Sequence, residues 1–179
     1  AFSSTIEIQD FQAQLKTATG SLEAAAVAFE KLEEFASDTP FALEQSLEAF
    51  IKLKNFGLDP SEKALRSYGN TASAMGKDLN QMIEAVADAV TGEFERLKEF
   101  GIKAKSEGDK VSLTFRGVTT TIGKNAAEIE GYLMDIGENE FATAMSDRMA
   151  TLGGKVSNLG DEFNKLFRNI SQSGADTIF

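Results

Sequence analysis

The 179-residue chain contains no cysteine and no histidine. Without cysteine there are no disulfides and no thiolate chemistry. Without either residue, most zinc and copper sites and the usual general base of hydrolytic enzymes are also lost. Proline occurs only at Pro40 and Pro60. No apolar run approaches the roughly 20 residues that a membrane-crossing helix needs, so no membrane segment is expected in this fragment. Positive charge is scarce: 18 Lys and Arg face 28 Asp and Glu, a net charge of -10, and no stretch reads as a basic patch. Direct nucleic-acid binding by this fragment is therefore disfavoured, because counterion release from a phosphate backbone needs clustered cations.

What remains is the balance of a folded chain, 42% hydrophobic and 26% charged, far from disordered compositions. At this length, folding buries about 70% of the surface the unfolded chain exposes. The chain opens at Ala1 and stops at "SGADTIF", which we read as a piece cut from a longer protein.

Helix signals recur along the sequence. Residues 6–18 and 21–36 read as helices. "TPFALEQSLEAFIKLKNFG" offers Thr39 as N-cap and Pro40 as first helical residue, with Phe50, Leu53 and Phe56 as an apolar stripe. "DPSEKALRSYG" repeats the device with Asp59, Pro60 and Glu62. Asp78 opens a helix carrying Met82, Ile83, Val86, Val90, Phe94 and Leu97, and Asn125 with Glu128 forms a cap and box before "NAAEIEGYLMDIG". "EFATAMSDRMATL" and "VSNLGDEFNKLFRNI" read as two more. Gly57 and Gly101 each follow an F-x-x-L-x-x-F pattern also present at Phe29, Leu32 and Phe35; both glycines are expected in the left-handed conformation that ends a helix. Ordinary helix-end chemistry explains the recurrence, and a decayed helical repeat is the alternative.

One stretch breaks the helical pattern. In "KVSLTFRGVTTTI", a two-residue turn at Arg116 and Gly117 puts Val111, Leu113 and Phe115 on one face with Val118, Thr120 and Ile122. Ser112, Thr114, Thr119 and Thr121 then share the other. The turn asks a positive φ of Arg116, but a three-residue loop would lose the sorting. A lone hairpin is marginal in water, so its apolar face must lie on its own helices or on a partner, and its unpaired edges could dock another strand.

Catalytic motifs are missing. "GVTTTIGKN" has five residues between its glycines where a phosphate loop has four, and Asn125 stands where a hydroxyl should follow the Lys. Gly76–Lys77 and Gly154–Lys155 fail for the same reason. There is no nucleophile elbow, no S-x-x-K and no calcium loop. Glu23, Glu30, Glu33, Glu34, Glu93, Glu95 and Glu99 fall among charged neighbours, as a solvated helix face does. No catalytic, cofactor-binding or metal-ligating residue is assigned, and no cofactor is expected. Gly69, Ala72, Ser73 and Gly76 in "YGNTASAMGKDLN" read as a close-packing seam.

The run from "FALEQSLEAFIKLKNFGLDPSEKAL" through "YGNTASAMGK", "NQMIEAVADA" and "GEFERLKEFGIKAK" to "SNLGDEFNKLFRNISQSGA" closely resembles the tape measure domain of tail length tape measure proteins from tailed bacteriophages and prophages. The likeness covers most of residues 20–175. It implies a virion structural protein: a long helical chain that sets how many rings of tube protein stack around it and later leaves the tube ahead of the DNA. By that resemblance its neighbours are the tail tube protein, tail assembly chaperones and tail-tip proteins, with self-association open. Its place is the tube lumen of the virion tail, and the host bacterial cytoplasm during assembly. A wall-cleaving enzyme fragment and a nonviral helical adaptor are the alternatives.

As one unbroken helix the chain would span about 270 Å. The glycine and proline breaks argue against that. The expected fold is mainly α: a compact bundle of short helices with one β-hairpin at about residues 110–123, forming one helical module over 1–179 of a much longer chain.

Overall fold

A computed structural model of the chain describes residues 2–152 together with 165 and 166. The helix expected over 156–170, apart from Lys165 and Leu166, lies outside the described residues, as do Gly153, Gly154 and Lys155. The described chain is mainly helical and carries a three-stranded antiparallel sheet.

Among the described residues seven α-helices run as α1 (Phe2–Thr19), α2 (Leu22–Asp38), α3 (Leu43–Asn55), α4 (Glu62–Ala74), α5 (Leu79–Val90), α6 (Ala126–Asp135) and α7 (Ala144–Leu152). A 3₁₀ segment (Glu95–Phe100) follows α5, and a π-helical turn (Ile136–Glu140) continues α6. Several start and stop for local reasons. Ser21 Oγ accepts from Ala24 N–H at the head of α2, and Gln81 Oε1 closes back on Asp78 N–H at the head of α5. Asn125 Oδ1 accepts from Glu128 N–H as expected, but the Glu128 carboxylate reaches past the cap to Gly123 N–H and to the Asn125 amide. These two donors hold Glu128 below the usual carboxylate range, the Asn125 side chain contributing most.

Two expected starts are displaced. Thr39 ends α2 instead of opening α3, and Pro40 and Phe41 are buried ahead of α3, which starts behind Ala42 with no side-chain cap. Burial of the Thr-Pro-Phe corner outweighs its capping potential. Asp59 turns its carboxylate onto Ser61 N–H, so Ser61 becomes the true cap of α4, and Pro60 stays outside the helix. Phe56 lies outside the apolar stripe and is 57% exposed; Leu43, Leu47, Ile51 and Leu53 supply the buried face of α3.

Gly57 ends α3 as the sequence suggests: its φ is +70° and Leu58 N–H donates to Leu53 O at 2.8 Å. Gly76 and Gly92 do the same for α4 and α5, through Lys77 N–H to Ala72 O (2.8 Å) and Glu93 N–H to Asp88 O (3.0 Å). The single helix expected from Asp78 to Gly101 is thus cut at Gly92. Gly101, at φ +77°, ends the 3₁₀ segment and leads into a strand.

That strand corrects the two-stranded expectation. β1 (Ile102–Glu107) pairs with β2 (Lys110–Phe115), which pairs with β3 (Val118–Gly123). The β2–β3 register is the expected one: Phe115 faces Val118 across Arg116 (φ +51°) and Gly117 (φ +79°), the two positive values of a type I′ turn. Val111, Leu113 and Phe115 are buried. On the opposite face the hydroxyls pair, Ser112 with Thr121 at 2.8 Å and Thr114 with Thr119 at 2.7 Å. In β3 the apolar side is only partly covered: Ile122 is half-buried, Thr120 is exposed, and Val118 is 66% exposed.

Candidate interaction surfaces

The stretch "YGNTASAMGK" becomes the second half of α4, which packs against α5, α6, α7 and the π turn. Surrounded on most sides, it buries polar as well as apolar residues: Leu65, Tyr68 and Ala72, but also Ser67, Asn70 and Thr71. Buried polar groups need partners, and backbone supplies them. Ser67 Oγ donates to Met134 O, and Thr71 Oγ1 donates to Ser67 O. Asn70 bridges two segments, its Nδ2 donating to Gly137 O at 3.3 Å and its Oδ1 accepting from Met145 N–H at 3.1 Å.

Close approach here depends on missing side chains. A Cβ on Gly137 would stand 2.0 Å from Ser67 O, and one on Gly69 would stand 2.6 Å from Met145 Sδ. The seam expected from Gly69 and Ala72 therefore holds, with Gly137 a member the sequence did not reveal. Gly76 belongs to the helix stop instead, with open space around it. The Tyr68 hydroxyl is buried without a hydrogen-bond partner among the described residues, and burial, aided by Glu130 and Asp59, pushes its ionisation far above the ordinary tyrosine value.

An open groove of about 820 Å³ lies between the end of α4 and α7. Its two guanidinium groups are already engaged by the chain. Arg116 lies over Phe115 and Phe141, 5.2 and 4.8 Å from the ring centroids, and pairs with Glu140 at 3.7 Å. Arg148 donates to Lys77 O at 2.7 Å and lies over Phe41. These contacts fasten the groove walls to each other.

The carboxylates singled out in the sequence are dispersed. Glu23, Glu30, Glu34, Glu93, Glu95 and Glu99 are exposed and Glu33 is half-buried; Glu95 pairs with Lys98 and Glu99 with Lys77. "GVTTTIGKN" forms β3 and the approach to α6, not a loop at a helix start. Among the described residues there is no group of three or more potential metal ligands, and no helix is long and apolar enough to cross a membrane.

Residues 101–125 carry Lys103, Lys105, Lys110, Arg116 and Lys124 against Glu107 and Asp109, so the sheet region is net positive on a chain of net charge -10.

A family model described as tape measure protein matches residues 1–172. The chain is similar to the Mu-like prophage FluMu protein gp42 of Haemophilus influenzae, 28% identical over 159 residues; the match covers 80% of this chain and 25% of the relative. The chain thus spans about a quarter of that protein's length. No solved structure matches.

Proposed function

The chain belongs to the tape measure protein family, and on that premise we propose that residues 1–179 form one compact, nonenzymatic module of a tail tape measure chain; the chain as a whole acts in tail assembly and length determination, and this module serves assembly without being part of the extended shaft that sets the length. As a phage tail structural protein, it would work beside the tail tube protein, the tail-tip proteins and the tail assembly chaperones. It would be held in the tube lumen and leave ahead of the DNA at ejection, after residing in the host cytoplasm during assembly.

The observation that carries the reading is the way the helices end. None of the seven exceeds 18 residues, and α3, α4 and α5 stop on left-handed glycines whose next residue bonds back to the helix. A ruler that counts by helical rise needs unbroken helix; these elements fold back on one core instead.

Deleting residues 20–175 in frame from the phage tape measure gene and measuring tails by electron microscopy tests this. A compact assembly module gives few or no tails, and any that form keep their length. Tails formed in normal yield but shortened by about 230 Å, the helical rise of the deleted residues, would overturn the proposal.

A further inference from the structure

The two edges of the sheet are unlike. β1 carries Lys103, Lys105 and Glu107, the kind of charge that keeps an edge from pairing with another chain. β3 carries none: Val118, Thr119, Thr120, Thr121 and Ile122 are uncharged, rich in β-branched side chains, and exposed except for half-buried Ile122.

The register says which backbone groups are open. In a two-residue hairpin the pair flanking the turn, here Phe115 and Val118, exchanges both hydrogen bonds, and the alternation continues along the ladder. Val118, Thr120 and Ile122 therefore turn their N–H and C=O toward β2, while Thr119, Thr121 and Gly123 turn theirs outward. Gly123 N–H is taken by Glu128 Oε1 at 3.1 Å. This both agrees with the alternation and ends the open edge, leaving Thr119 and Thr121.

We propose that this edge pairs with β3 of a second copy, antiparallel, about a two-fold axis at Thr120. The edge complements itself in that register. Thr119 meets the partner's Thr121, and Thr121 meets the partner's Thr119, giving four backbone hydrogen bonds between four outward groups on each side. The same register sets exposed Val118 beside the partner's Ile122 and ends where Glu128 closes the edge. It also extends the hydroxyl pairs of Ser112–Thr121 and Thr114–Thr119 into the second sheet.

Charge favours this occupant. No charge lies on the five paired residues, and the flanking cations are held within their own chain, Arg116 on Glu140 and Lys124 on Ser106. At the usual strand spacing the β1 lysines stand about 24 Å from their counterparts across the joined sheets, beyond the screening length at physiological salt. A five-residue ladder is a small interface of the transient class. It is suited to chains held side by side in an assembly; that setting rests on the function proposed above, whereas the pairing itself does not.

Because the chain has no cysteine, single cysteines report the register directly. Thr120 and its counterpart form a non-hydrogen-bonded pair, about 4.5 Å between Cα atoms, within disulfide reach. Under mild oxidation of the purified chain, Thr120→Cys should cross-link at least tenfold faster than Ser106→Cys on the opposite edge. Val118→Cys mixed with Ile122→Cys should give the mixed dimer, with neither joining to itself. Adding Thr121→Pro to Thr120→Cys should cut cross-linking at least tenfold with the melting temperature little changed, since that N–H serves no bond within the sheet. Cross-linking of Thr120→Cys no faster than Ser106→Cys would overturn the proposal. So would self-joining of Val118→Cys or, when purified tail tube protein is added in a parallel reaction, its capture by Thr120→Cys in place of a second copy. Tail-length data decide the function; these rates decide the pairing whatever those data show.

Discussion

Replacing Asn70 by Ala would remove one side chain from α4 and unpair two distant backbone groups. Asn70 is 9% exposed and holds Gly137 O at 3.3 Å and Met145 N–H at 3.1 Å. Each buried group left without a partner costs about 1–3 kcal/mol, and loss of the amide's own desolvation offsets part of the sum. We expect Asn70→Ala to lose about 2–4 kcal/mol, a large share of the 5–15 kcal/mol typical of a domain. Asn70→Asp separates the two contacts. One carboxylate oxygen can still accept from Met145 N–H, but the other faces the Gly137 carbonyl, and only the protonated acid can donate to it. At pH 7 the loss should exceed that of Ala; it should shrink relative to the parent as pH falls and the acid protonates. Urea unfolding with an unchanged slope gives the magnitudes, and amide exchange at Met145 reports the local opening. A loss below about 1 kcal/mol for Asn70→Ala, or a pH-independent deficit for Asn70→Asp, would refute the bridging role.

Three glycine-to-alanine changes should differ in sign and size by thermal melt. Gly131→Ala, in open space within α6, should stabilise by about 0.5–1 kcal/mol; Gly57→Ala at φ +70° should cost about 1–2 kcal/mol; and Gly137→Ala, driven into Ser67 O, should cost about 3 kcal/mol or more. Tyr68→Phe should be neutral or stabilising at pH 7, because the hydroxyl lacks a partner among the described residues. Above the ordinary tyrosine value of 10.0 the unfolded Tyr68 ionises while the folded one does not, so the parent loses stability with rising pH, and the Phe variant should lose less in alkaline urea titrations. Leu113→Asp should destabilise by at least about 4 kcal/mol, since it buries an unpaired charge. Thr114→Asp, half-buried on the hydroxyl face, should stay within about 1 kcal/mol in the same assay, and equal damage from the two would contradict the register.

The features legible in the sequence were those fixed by neighbours in sequence. Asp78 and Asn125 cap because their partners lie three residues on, and the 115–118 turn follows from which side chains it sorts together. Misreadings arose where a distant group decided. Thr39 and Pro40 look like a helix start until the corner is seen to be buried. "IKAKSE" has only Ile102 and Ala104 to mark an apolar side, so β1 is a strand because β2 lies beside it. The small residues of α4 announced a close approach, but not that Gly137 and Met145 would be the approaching groups. The β3 edge was visible as a possibility; which half of it stays open depended on Glu128 turning back to Gly123.

The contacts that satisfy α4 also set a schedule. Ser67 waits for Met134, Asn70 for Gly137 and Met145, and Arg148 closes on Lys77, spans of 67 to 75 residues. At a synthesis rate of about 5–20 residues per second, those partners leave the ribosome roughly 3–15 s after α4 does. For that interval α4 is a helix whose future interior is part apolar and part polar, with Leu65, Tyr68 and the Asn70 amide all open to solvent. Whatever shelters the nascent chain must hold a surface of that mixed character and release it when residues 134–148 arrive.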